Sequence, residues 1–151
     1  MGTGFSGLGM AIGLKRAGID DFIVLERAEE VGGTWRDNTY PGCPCDVESD
    51  VYSFSFAPNP DWHRCFSPWS GIQAYLRRCA ERCGIIPHIH PGHALRDARR
   101  DDDRRSWHVT SDRGEFVARV LILGAGPLSA PANPPIPGLA SFAGTVFHSA
   151  R

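Results

Sequence analysis

A glycine pattern near the start of the chain restricts its fold more than any other feature. Gly2, Gly4 and Gly7, with Phe5 and Ser6 before the last of them, form the pattern G-x-G-x-x-G. In this pattern the first glycine permits a tight turn, the second lets backbone approach a pyrophosphate, and the third lets a helix pack closely on a strand. A helix that begins here presents free N–H groups and the positive end of its dipole to the phosphates. The pattern therefore predicts a dinucleotide-binding α/β fold.

The residues that follow support this interpretation. Apolar residues at helical spacing over residues 7–17 end at Gly18, which predicts a helix with a glycine stop. Residues 22–25 have the length and β-branched content of a strand buried on both faces of a parallel sheet. Glu26 lies 19 residues after Gly7, where a carboxylate accepts hydrogen bonds from a ribose 2′-hydroxyl and repels a 2′-phosphate. We therefore expect FAD or NAD, and not NADP, at this site; the alternative is a glycine-rich turn followed by an ordinary surface glutamate.

A pair of glycines after Glu26 favours FAD over NAD, because FAD proteins commonly have such a pair there and NAD dehydrogenases generally do not. Gly32 and Gly33, followed by Thr34 and Trp35, come shortly after Glu26. Paired glycines at this place let the chain run close to a bound dinucleotide, and a simple turn is the alternative. The segment from residue 32 to residue 69 combines turn-forming residues with many aromatic ones, so we expect an ordered, functional loop.

The remaining segments complete a Rossmann-like α/β architecture with a parallel sheet and a small β-hairpin or meander. Residues 72–83 have helical spacing and end at Gly84. Residues 107–110 and 115–120 are β-like runs joined by a turn, which predicts a hairpin, and the charge run 101–105 predicts a solvated turn. Residues 120–123 predict another fully buried strand that ends at Gly124 and Gly126. Five prolines between residues 127 and 137 predict an extended path.

Composition excludes several classes of function. The 16 basic and 17 acidic residues are interspersed, which argues against nucleic acid or an anionic membrane surface as a partner. An apolar run of roughly 20 residues, which a membrane span requires, does not occur. The five cysteines predict reduced thiols and a cytoplasmic protein. Their spacing does not match structural zinc sites, so we expect no metal, and we take the myristoylation-like start at Gly2 as accidental.

Together these motifs resemble the Baeyer-Villiger monooxygenases, which are flavin-dependent enzymes. The matching segments are residues 2–7, 25–27, 32–35, 38–42, 45–47 and 52–56, and the resemblance covers essentially the whole chain. It implies FAD as the cofactor, with NADPH as the cosubstrate of the full-length family. It also implies cofactor contacts from Gly2, Gly4, Phe5, Ser6, Gly7, Glu26, Arg27, Gly33, Thr34, Trp35, Asp46, Tyr52, Gly124 and Gly126.

The resemblance further implies a reaction and a family fingerprint. Enzymes of this family use NADPH and O2 to oxidise ketones to esters or lactones, and Asp46 would position a catalytic arginine from a later part of such a protein. Phe142, Gly144 and His148 match the fingerprint of flavoprotein monooxygenases, with a lone surface histidine as the alternative for His148. Three other functions stay open: an N- or S-oxygenating flavin monooxygenase, a non-catalytic FAD-binding fragment, and a disulfide reductase. The last is disfavoured because Cys43 and Cys45 lack the separation that its redox pair needs.

The resemblance also gives an expectation about domain organisation. Residues 1–151 are expected to form a partial FAD-binding domain without the first strand of its sheet, since Met1 stands directly before Gly2. The NADPH-binding domain of the family would follow outside this sequence. We therefore expect that this chain alone does not catalyse the reaction.

Overall fold

Two helices form the centre of the fold. The structure, a computed structural model, describes residues 2–149. Helix α1 spans Phe5–Arg16 and helix α3 spans Trp69–Arg82, close to the predicted ranges. Both predicted glycine stops are confirmed, because Gly18 and Gly84 each follow the last turn with a positive φ that a side chain would disfavour. The buried core lies between the two helices and includes Leu8, Ile12, Ile72, Leu76 and Ile85.

The parallel sheet is confirmed but is shorter than predicted. Strand β1 spans Val24–Leu25 and pairs in parallel with strand β2, Ile89–His90, which the sequence did not predict. The backbone N–H of Glu26 continues the pairing by donating to the carbonyl of His90 at 3.0 Å. The prediction that residues 22–25 are buried on both faces is wrong at Ile23, whose exposed fraction is 45%. Burial on both faces is therefore limited to the two residues of β1, Val24 and Leu25.

A three-stranded antiparallel sheet follows. Its strands are β3 (Leu95–Asp101), β4 (Ser106–Ser111) and β5 (Gly114–Ala118), in that spatial order. The predicted hairpin is confirmed as β4 and β5, and the charge run at 101–105 forms the turn between β3 and β4. Strand β3 was not predicted because its sequence is mostly charged and suggests a solvated segment. It lies at the edge of this sheet, where such side chains can remain in water.

The predicted buried strand at residues 120–123 is wrong. These residues run in an extended path outside the named strands, with Val120 70% and Leu123 63% exposed. The two sheets formed within residues 2–149 do not include them, so they lack the burial on both faces that was predicted. The proline-rich stretch that follows has no regular structure over residues 131–136, as predicted.

The aromatic segment between residues 32 and 69 is ordered, as predicted. It contains the short helix α2 (Thr34–Asp37) and a 3-10 helical turn at Ser49–Val51, and ring contacts fix it to α1. The rings of Trp35 and Tyr52 meet edge-to-face at 5.0 Å, and the ring of Phe54 lies 5.3 Å from that of Phe5 on α1. These contacts hold the loop against the N-terminal end of α1.

The structure also bears on disulfides, metal sites and membrane spans. All five cysteines are unpaired thiols in the structure. Residues 2–149 contain no cluster of three or more histidine, cysteine, aspartate or glutamate side chains that could hold a metal ion. Within the same range, none of the helices combines the length and the apolar character needed to cross a membrane.

Candidate dinucleotide-binding site

A cavity of about 470 Å³ opens at the N-terminal end of α1. Its size falls in the range of small-molecule and cofactor sites. The lining residues are 2–6, 25–27, 32–37, 93–96 and 123–129. Five separate segments of the sequence therefore meet around one concave surface.

Three glycine stretches make this approach possible. Gly2 has φ 91°, and a Cβ built on it would lie 2.6 Å from the carbonyl oxygen of Gly124. Gly33 has φ 55°, and a Cβ there would lie 3.0 Å from the Cα of Gly4. Any other residue at Gly2 would combine an unfavourable conformation with a backbone clash. The glycine stretches therefore lie close to one another, and their predicted approach to a bound dinucleotide stays a prediction.

The N-terminus of α1 faces the cavity and suits an anion. Gly4 is the N-cap residue, and the first turn carries no acidic side chain. The N–H groups at the start of an α-helix have no partner within the helix, and the dipole places partial positive charge there. Phe5 and Ser6, which line the cavity, belong to this first turn. A phosphate at this point would accept hydrogen bonds from the backbone.

Glu26 is fixed in the cavity wall at the end of β1. Its exposed fraction is 3%, and its carboxylate accepts four hydrogen bonds from the protein. Oε2 accepts from the backbone N–H of Thr3 at 2.8 Å and from the Thr3 hydroxyl at 2.7 Å. Oε1 accepts from the N–H of Ala28 at 2.9 Å and from Nη1 of Arg36 at 3.1 Å. A buried carboxylate needs such partners to remain charged.

A chain of ion pairs extends from Glu26 along the same wall. Arg36 donates from Nε to Oδ1 of Asp37 at 2.7 Å, and Arg27 donates from Nη2 to Oδ2 of Asp37 at 2.7 Å. Arg27 also donates from Nη1 to the backbone carbonyl of Ser129 at 3.0 Å. The network therefore connects the end of β1, helix α2 and the segment that follows Gly126.

Charge pairing sets the ionisation of this network. Burial disfavours the charged form of Arg36, but its hydrogen bond to Asp37 and the charges of Glu26 and Asp37 outweigh burial and raise the pKa of the guanidinium. Burial likewise disfavours the charged form of Asp37, but its hydrogen bonds to Arg36 and Arg27 outweigh burial and lower the pKa of its carboxyl group. The two groups therefore stay charged at neutral pH.

The structure brings most of the predicted cofactor-binding residues to the cavity. Those that line it are Gly2, Gly4, Phe5, Ser6, Glu26, Arg27, Gly33, Thr34, Trp35, Gly124 and Gly126. Gly7 is buried in the first turn of α1 and does not line the cavity itself.

Asp46 and Tyr52 lie beside the cavity. Tyr52 contacts the ring of Trp35, and its hydroxyl donates to Oδ1 of Asp46 at 3.4 Å. Burial, with the nearby charge of Asp46, raises the pKa of Tyr52, so the hydroxyl keeps its proton and remains a donor. The pair therefore adjoins the cavity through Trp35.

The fingerprint residues lie outside the cavity. Phe142 is 61% exposed, Gly144 is exposed and His148 is half-buried. Their assignment to the fingerprint of flavoprotein monooxygenases stays a prediction.

Several residues of the site were not predicted. Thr3, Arg36 and Asp37 contact Glu26 or its partners, and residues 93–96 form one side of the cavity. A signal for the first group was present, because Arg36 and Asp37 directly follow the glycine pair and Trp35 in the sequence. Residues 93–96 gave no signal, since they enter the site only through the pairing of β2 with β1.

Comparisons with known proteins agree with this geometry. Residues 1–69 match the family model described as an NAD(P)-binding Rossmann-like domain. The whole chain is 52% identical to a Baeyer-Villiger monooxygenase of Streptomyces coelicolor, and 99% of it is 46% identical to another from Pseudomonas aeruginosa. Over essentially its whole length, the chain is therefore similar to part of these Baeyer-Villiger monooxygenases. It spans only 29% and 28% of the length of these two relatives.

Solved structures of this family share the fold. A crystal structure of OTEMO in complex with FAD and NADP superimposes with a TM-score of 0.85 at 34% identity, over 99% of this chain and 29% of that one. A closed crystal structure of cyclohexanone monooxygenase gives a TM-score of 0.84 at 32% identity, with the same coverage of both chains. The Rossmann-like fold predicted from the glycine pattern is therefore confirmed.

Proposed function

We propose that this chain forms part of the FAD-binding domain of an NADPH- and O2-dependent monooxygenase that oxidises ketones to esters or lactones. The observation that carries the proposal is the meeting of three glycine stretches at the N-terminus of α1, with the Glu26 carboxylate in the same wall. Similarity to two relatives that are named Baeyer-Villiger monooxygenases supports the reaction type. The NADPH site would lie in another part of a longer protein.

The cavity fits the adenosine diphosphate part of FAD. The N–H groups at the start of α1 bind the pyrophosphate, and Glu26 accepts hydrogen bonds from the ribose. The close approach of Gly33 to Gly4 and of Gly124 to Gly2 brings main chain, without side chains, to the cofactor. Such a site binds and orients FAD, which supplies the oxygen chemistry when bound.

The flavin end is assigned to the aromatic side of the site. Thr34 and Trp35 line the cavity, and Tyr52 and Asp46 follow behind Trp35. By the family resemblance Asp46 positions a catalytic arginine that a later part of the protein supplies. An ordered aromatic wall also excludes water from a reacting centre. A small ketone and O2 are the proposed substrates, and the unpaired cysteines favour the reducing cytoplasm as the location.

The proposal is tested by FAD binding to the purified chain and its Glu26→Ala variant. Loss of a charged acceptor should weaken FAD binding by about 1 to 3 kcal/mol, which raises the dissociation constant by about 5- to 150-fold. Fluorescence titration of FAD measures the constant for each protein.

Glu115→Ala is the matched control, because Glu115 is exposed on β5, outside the cavity. Far-UV circular dichroism of both variants shows whether each is folded. Equal FAD affinity of folded Glu26→Ala and the unchanged chain would reject the assignment of Glu26 to the ribose. Ketone-dependent NADPH consumption by a longer protein that contains these residues tests the reaction itself.

A further inference from the structure

Arg36 has the most buried side chain of the three arginines that line the cavity. Its side chain is only 13% exposed, which is unusual for an arginine. It donates to three acceptors: Oδ1 of Asp37 at 2.7 Å, the carbonyl of Glu30 at 2.6 Å and Oε1 of Glu26 at 3.1 Å. Two of these contacts fix the guanidinium on α2 and the loop before it. The third places it against the carboxylate assigned to the ribose.

The two oxygens of Glu26 are held in different ways. Oε2 is fixed by the backbone and the hydroxyl of Thr3, within the glycine loop itself. Oε1 is held by the N–H of Ala28 and by Arg36, which is the positively charged partner of this carboxylate. Without Arg36, a nearly fully buried charge would lose its compensation. The carboxylate would then be driven to rotate toward water, which removes Oε1 from the position that the ribose needs.

We propose that Arg36 is a positioning residue for ribose recognition. It fixes the Glu26 carboxylate in the orientation that accepts the ribose 2′-hydroxyl, and Asp37 in turn anchors Arg36. This inference rests on the proposed nucleotide site. It adds a residue that the glycine pattern does not contain. Arg36 lines the cavity, but its guanidinium group is held by Glu26, Asp37 and Glu30, and it acts on the ribose by orienting Glu26. A purely structural ion pair would instead stabilise the fold without regard to the sugar of the ligand.

The test is a cycle that pairs a protein change with a ligand change. Calorimetry measures the binding of ADP and of 2′-deoxy-ADP to the unchanged chain and to its Arg36→Met and Arg36→Lys variants. If Arg36 acts through Glu26, Arg36→Met should weaken ADP binding by about fivefold or more, a coupling of the size found between interacting groups. The same change should weaken 2′-deoxy-ADP binding by less than about twofold, because the hydroxyl that Glu26 accepts is gone. Arg36→Lys keeps the charge but not the planar fork and should recover part of the loss.

Arg82→Met is the matched control, because Arg82 is exposed at the end of α3 and does not line the cavity. It should bind both nucleotides like the unchanged chain. Equal weakening of ADP and 2′-deoxy-ADP by Arg36→Met would overturn the inference and assign Arg36 to stability alone. Unchanged or tighter ADP binding would overturn it as well. If Arg36→Met does not fold, the same comparison on Arg36→Lys decides. An unchanged chain that binds neither nucleotide contradicts the proposed function itself.

Discussion

Asp37 holds two arginines at once, and this makes it sensitive to acid. Its carboxylate accepts from Arg36 and from Arg27, both at 2.7 Å, and these bonds outweigh the effect of burial and lower its pKa from 3.8. A carboxyl group whose pKa is lower in the folded state stabilises the fold fully above its unfolded pKa. That stabilisation is lost as the pH falls through the folded pKa. The network should therefore weaken below about pH 4.

We predict that Asp37→Asn lowers the free energy of unfolding at pH 7 by about 0.5 to 2 kcal/mol, since both guanidinium groups lose a charged partner. The difference from the unchanged chain should shrink as the pH falls below about 4, because the carboxyl group then takes up a proton in the unfolded state, and at still lower pH in the folded state as well. Urea unfolding at pH 7, 5 and 3 measures this. Asp103→Asn, at an exposed position in a turn, is the control and should have little effect. A difference that does not depend on pH would contradict the assignment of charge to this site.

For Glu26, the sequence predicted the place of the residue but not its hydrogen-bond partners. The position of Glu26 was predictable because its distance from the glycine loop is fixed by one helix and one strand. Its donors were not, because Thr3, Ala28 and Arg36 converge on it only after folding. The spacing of residues along the sequence does not say which distant side chains come into contact in the folded protein.

At the scale of elements, Tyr75 connects α3 to the aromatic segment. Its hydroxyl donates to the carbonyl of Ala57 at 2.7 Å and accepts from the backbone N–H of Phe54 at 2.7 Å. Burial raises the pKa of Tyr75 to about 12, so the hydroxyl stays protonated and serves both partners. The Tyr75 hydroxyl therefore holds backbone groups of a loop that has little regular secondary structure.

We predict that Tyr75→Phe lowers the free energy of unfolding by about 1 to 3 kcal/mol, because two backbone groups lose their partner while the ring is retained. Chemical denaturation measures the change. Tyr40→Phe removes the hydroxyl of an exposed tyrosine and should cost less than about 0.5 kcal/mol. Equal effects of the two substitutions would show that the Tyr75 hydroxyl does not hold the loop.

The sequence predicted the helices better than the strands. Helices α1 and α3 have a clear apolar period and a glycine stop, and both were found. Strand β3 is mostly charged and residues 120–123 are apolar, so local character pointed the wrong way in both segments. Strand formation depends on the neighbouring strand, and that information is not local.

At the scale of the whole molecule, the fold brings five distant segments to one cavity. The glycine stretches at residues 2–7, 32–33 and 124–126 predicted this meeting, because close backbone approach requires them. The segments that line this site extend along the chain from Gly2 to Ser129. A ligand that bridges these segments should therefore stabilise the whole fold and not only the loops that touch it.

We predict that FAD raises the midpoint of thermal unfolding of this chain. A ligand present at 100 times its dissociation constant stabilises the folded state by about 2.7 kcal/mol. For a chain of this size each kcal/mol raises the midpoint by about 2 to 4 °C, so FAD should raise it by about 5 to 11 °C. Circular dichroism during heating measures the shift.

FMN is the control ligand. It carries the same flavin but lacks the adenosine diphosphate that the glycine loop and Glu26 are assigned to bind, so at equal concentration it should give a much smaller shift. If FMN stabilised the chain as much as FAD, recognition would lie at the flavin end, and the assignment of residues 2–7 and Glu26 to the dinucleotide would be wrong.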